Sequence, residues 1–122
     1  QVLKSYDTLG ARHTNGVLIA SRKFHDANPK ICAAVIAAFE EADAFIKAHP
    51  RDAAQTYLNV TRDKIALDEL EKMVADPDVD YTTTPISIMK IVDFMHEVGR
   101  IRKKPASWKD MFFPEAHGLN GS

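Results

Sequence analysis

Apolar and polar positions change their spacing twice along the chain, and each change predicts a different kind of element. Val2 to Asp7 alternate apolar with polar and then meet Gly10, which predicts a short strand. Residues 8–16, rich in Thr, Gly, His and Asn, read as a loop. Val17-Leu18-Ile19-Ala20 is a continuous apolar run of a length that suits a buried strand. Ser21 offers a cap for one or two helical turns over Arg22 to Ala27.

From Asn28 the spacing becomes helical. Asn28-Pro29 pairs a capping side chain with a proline at the first helical position, where the missing N–H costs nothing. Ile31, Val35, Ala38, Ala42, Phe45 and His49 then recur at three- and four-residue steps, with Ile36, Phe39 and Ile46 widening the stripe. Pro50 closes this helix, because the residue before a proline disfavours helical backbone. A second helix runs from Pro50 to about Asn59, with Ala53, Ala54, Tyr57 and Leu58 inward. After a break at 61–63 a third spans roughly 64–75, with Leu67, Leu70, Met73 and Val74 as its stripe and Asp76-Pro77-Asp78 as its stop. Residues 79–84 read as an extended connector, and Thr84-Pro85 opens a fourth helix that Gly99 ends. Ser107 caps a last turn holding Trp108, Met111, Phe112 and Phe113, stopped by Pro114. The expected architecture is α/β and predominantly helical: two N-terminal strands, then five helical segments.

Composition narrows the class. With 122 residues, 45% hydrophobic and 27% charged, the chain has the make-up of one folded domain. No linker-like tract marks an internal boundary, so 1–122 reads as a single unit, with strands and a loop over 1–20 and helices over 21–122. Sixteen Lys+Arg against seventeen Asp+Glu give a net charge of -1, which removes the electrostatic case for nucleic acid as a partner. The one cysteine, Cys32, has no disulfide partner and reads as a small core hydrophobe. No apolar run approaches the roughly 18 residues of a membrane span.

Motifs for chemistry are sparse. No two of His13, His25, His49, His96 and His117 stand at helical ligand spacing; His96-Glu97 begins a zinc-protease pattern that Arg100 breaks. Asn59-Val60-Thr61 matches a glycosylation sequon, and Arg100, Arg102, Lys103 and Lys104 form a basic cluster that complements a helix C-terminus. No catalytic residue, metal or cofactor is expected. The candidate ligand residues are Ser5, Tyr6, Asp7, Thr8 and Thr14, because hydroxyls and a carboxylate at strand ends are where α/β sheets present ligand groups. The same residues also suit ordinary turn chemistry.

The order of these signals resembles a known family. Val17 to Leu58 supplies an expected strand, Phe24, Asn28-Pro29, a long Ala-rich helix, and then Pro50 followed by Asp52-Ala53-Ala54. Asp76-Pro77, Tyr81, Pro85, Phe94-Met95, Gly99-Arg100-Ile101 and Trp108-Lys109-Asp110-Met111-Phe112-Phe113 follow. This series is similar to the C-terminal region of substrate-binding proteins of ABC importers, of the nitrate, sulfonate and taurine type, which share a fold with thiamine-pyrimidine-synthesis proteins. Each motif alone is helix punctuation, and their order carries the likeness.

The resemblance implies a two-lobed type II periplasmic-binding-protein fold with a ligand cleft between the lobes. It also implies an export signal and a periplasmic or other extracytoplasmic location. On that reading the opening Gln-Val-Leu-Lys-Ser-Tyr, with neither Met nor signal peptide, is expected to begin a C-terminal portion that lacks most of the cleft. The implied function is capture of a small polar or anionic solute for a membrane permease, with no bond made or broken. Two alternatives stay open: an enzyme of thiamine-precursor synthesis, and a stand-alone helical interaction module. Strands without neighbours further predict that two copies pair along strand edges.

Overall fold

The computed structural model describes residues 4–122, and all regular structure among them is helical. Six α-helices follow in order: α1 (Ser5–Leu9), α2 (Arg22–Ala27), α3 (Pro29–Ala48), α4 (Pro50–Thr61), α5 (Leu67–Val74) and α6 (Ile88–Glu97). Two 3₁₀ turns, Trp108–Met111 and Pro114–Gly118, close the sequence of elements.

The expected α/β architecture is therefore corrected: the described residues contain no strand and no sheet. Residues 2 and 3 of the first expected strand lie outside the described residues, and Ser5 to Asp7 are the start of α1. The reason is local. The Lys4 carbonyl accepts from the Asp7 and Thr8 amides, and Gly10, at φ 65°, ends the turn while Ala11 N–H returns to the Tyr6 carbonyl. The second expected strand, residues 17–20, has no regular structure, and Val17, Leu18 and Ile19 are 56%, 70% and 85% exposed. A strand exists only through a ladder, and no other described segment hydrogen-bonds to these residues.

The chain divides into two compact units, one made of its two ends (up to Ala27 and from Thr84) and one of residues Asn28–Thr83. In the central unit the proline starts hold as expected, Pro29 opening α3 and Pro50 opening α4 with His49 alone between them, whereas the Asn28 side chain makes no capping hydrogen bond. Helix α4 packs on α5, burying Ala54 completely and Leu70 almost so. Arg51 on α4 clamps the pair from outside by reaching both Asp68 (2.9 Å) and Glu71 on α5. Arg62, left-handed at φ 56°, ends α4, and the Asp63 carboxylate accepts from the Lys64 and Ile65 amides to shape the link. The long stripe of α3 buries no residue: Ile31, Phe39 and Phe45 remain exposed.

In the other unit the core is Ile88 and Val92 of α6 with Trp108, flanked by Met89, Ile101, Phe112 and Ala116. Helix α6 begins three residues later than the Thr84-Pro85 signal predicts, because Pro85 to Ser87 are held by other partners. Thr14 and Ile86 exchange two bonds: Thr14 N–H to the Ile86 carbonyl (3.0 Å) and Ile86 N–H to Thr14 Oγ1 (2.8 Å). The Ser122 carbonyl and hydroxyl accept from the Ile88 and Ser87 amides, so Ser122 supplies the cap of α6. Ser107 caps the Trp108 turn as expected, in a reciprocal box with Asp110, whose Oδ2 takes the Ser107 amide at 3.0 Å.

Candidate functional site

A groove of about 560 Å³ opens in the unit built from the chain ends. That is within the range of small-molecule sites. One side is the irregular run from Thr14 to Ala20 with Arg22; the other is Ile88, Ile91 and Val92 of α6 together with Asp110 to Phe113. The local sequence explains this make-up. The bonds between Thr14 and Ile86 anchor the run at one end, and Ser21 anchors it at the other by accepting the Phe24 amide (3.1 Å) and starting α2. Between those anchors the apolar side chains have no sheet to enter and form a wall.

Most of the lining is aliphatic or aromatic, and two charges interrupt it. Asp110 is already engaged, its Oδ2 accepting from the Ala106 (2.9 Å) and Ser107 amides. The Arg22 side chain forms no ion pair or hydrogen bond with any described residue, so its guanidinium is available. An apolar trough with one free cation accommodates an organic anion better than a cation or a neutral polyol.

The five expected ligand residues separate. Thr14 lines the groove, although its amide and its hydroxyl oxygen both serve Ile86, leaving only the hydroxyl hydrogen to donate. Ser5, Tyr6, Asp7 and Thr8 share α1 and do not line the groove. Lys4 lies over the Tyr6 ring, 5.2 Å from its centre. Beside Thr14, His13 keeps Nδ1 shielded from solvent with no hydrogen-bond partner among the described residues.

The residues that the sequence did not single out are Arg22 and a histidine with two acidic neighbours. His25 on α2 approaches Asp26 through Nδ1 (2.9 Å) and Glu115 through Nε2 (2.9 Å). Both bonds push the His25 pKa above its ordinary 6.5, Asp26 contributing most, while partial desolvation opposes them. Glu115 is held below its ordinary 4.5, first by a backbone hydrogen bond and then by His25. For Arg22 the spacing from the apolar run was the available signal. For His25 and Glu115, ninety residues apart, there was none.

The other marked residues take structural places. Lys104 of the basic cluster pairs with Asp93 (2.6 Å), Glu71 serves Arg51, and the sequon residues lie within α4. Among the described residues no group of His, Cys, Asp and Glu is arranged to hold a metal ion, and no helix is long and apolar enough to cross a membrane. No family model matches the sequence, and no curated protein or solved structure matches it.

Proposed function

We propose that the chain is the solute-capturing part of an importer of the ABC type, binding a small organic anion outside the cytoplasmic membrane and passing it to a permease. The observation that carries this reading is the groove's chemistry: aliphatic and aromatic walls with the unpaired Arg22 among them. A sulfonate or carboxylate head would sit on the guanidinium while a short alkyl tail displaces water from Val17, Ile91 and Phe112. The ordered series from Phe24 and Asn28-Pro29 to Trp108-Lys109-Asp110, which resembles the nitrate, sulfonate and taurine type of binding protein, supports the same solute class. Binding without catalysis asks only for complementary shape and charge.

The test is isothermal titration of the protein with taurine, a longer alkylsulfonate and nitrate, repeated on Arg22→Gln. Saturable binding of a sulfonate that weakens about tenfold or more in the variant is the expected result. No heat from any of the three overturns the reading. Binding only of a phosphorylated pyrimidine precursor, added as a fourth titrant, moves the assignment to thiamine-precursor chemistry.

A second reading, a helical interaction module, is favoured by the exposed apolar residues Ile31, Phe39 and Phe45 on α3. Alanine at all three would then abolish association with a protein partner and leave sulfonate binding untouched.

A further inference from the structure

The His25 ring lies flat on Phe113, centroids 4.0 Å apart and planes within 2°, and each of its nitrogens faces a carboxylate oxygen at 2.9 Å. A neutral imidazole has one N–H, and its other nitrogen is an acceptor. An ionised carboxylate only accepts. Neutral His25 therefore satisfies one of its two acidic neighbours and sets a lone pair against the other. Only the imidazolium donates to both.

The two neighbours are not equivalent. Asp26 is the next residue of α2, and it stays close whatever the rest of the chain does. Glu115 belongs to the 3₁₀ turn Pro114–Gly118, so of the two bonds it is the one that ties α2 to a segment ninety residues away. We propose that His25 is a proton-operated clasp: charged, it fastens the 114–118 turn to α2 and holds Phe113 in the groove wall; uncharged, it keeps Asp26 and lets Glu115 go.

The surroundings leave this assignment to two carboxylates. On α2 the other charged groups are Arg22 and Lys23, and neither bonds the ring. On the 114–118 turn the other titratable group is His117, whose Nε2 lies 2.9 Å from the Lys109 carbonyl and 3.0 Å from the Phe112 carbonyl; Lys109 and Asp110 of the preceding turn do not bond the ring either. The His25 side chain is 14% exposed, enough for exchange with solvent protons and little enough to feel both partners. The direction of its pKa, above 6.5, places release on the alkaline side of an ordinary histidine. The clasp does not depend on the solute-binding reading.

The test is a proton NMR titration of the imidazole signals in the full chain, with the His25 resonance assigned from His25→Gln. The same samples give amide-exchange protection factors for residues 113–118. The expected result is a His25 inflection above 6.5, a fall in protection at 113–118 through that inflection, and an inflection shifted down toward 6.5 in Glu115→Gln. In His25→Gln the protection has no pH step. An inflection at or below 6.5, or protection at 113–118 that stays level through it, overturns the clasp.

Discussion

A Cβ placed on Gly121 would come within 2.7 Å of Trp108 Cζ2, 2.9 Å of Cε2 and 3.0 Å of the Pro85 carbonyl oxygen. Neither neighbour has room to yield, since Trp108 is only 7% exposed within the core and the Pro85 carbonyl accepts the Ser122 amide. Gly121→Ala is expected to cost about 1–3 kcal/mol, the usual range for overpacking, read as a lower urea midpoint by Trp108 fluorescence. At the same scale the His25–Glu115 pair shapes stability against pH. The raised His25 pKa contributes stability that is complete below 6.5 and is lost as pH rises through the folded value. The lowered Glu115 pKa contributes stability present above 4.5 and lost as pH falls through its folded value. Urea midpoints should therefore peak between these two losses, and the alkaline fall should be absent in His25→Gln. None of this was legible in the sequence: no pattern marked Gly121, and His25 was one histidine of five.

The elements divide by the range of the forces that make them. Where a start is written in neighbouring residues, the sequence reading and the structure agree: Pro29 for α3, Pro50 for α4, Ser21 before α2, Ser107 before the Trp108 turn. The left-handed Gly99, at φ 73°, follows α6 as expected. Ser107→Ala should cost about 1 kcal/mol by removing the hydroxyl that accepts the Lys109 amide, measurable as a loss of thermal midpoint. Disagreement begins where partners are distant. Val17 to Ala20 have the composition of a strand but no described ladder partner, and the stripe of α3 has no partner that buries it. Periodicity states which face is apolar and leaves open what covers it. The candidate site shows the same division. Thr14 was legible as a polar residue beside an apolar run, whereas the groove it borders needs α6 and residues 110–113 from the far end of the chain.

At the scale of the whole molecule the buried core is thin. Among the described residues the buried side chains are Ala54 and Leu70 in the central unit and Ile88, Val92 and Trp108 in the other, while large apolar residues such as Leu18 and Ile19 stay exposed. The division into units has a kinetic consequence. Residues Asn28–Thr83 interrupt the other unit, which forms only when the two ends of the chain meet. The central helices contact their sequence neighbours and bear little of that delay; the outer unit must first close a loop over them, at a cost of roughly 3–4 kcal/mol of chain entropy. The single tryptophan lies in the outer unit. Refolding followed by far-ultraviolet circular dichroism should therefore run ahead of refolding followed by Trp108 fluorescence, and coincident traces would contradict that order. During synthesis from the N-terminus the same geometry imposes a wait: residues 4–27 emerge before the central unit, yet Thr14 and His25 find their partners only after Ile86, Phe113 and Glu115 have been made.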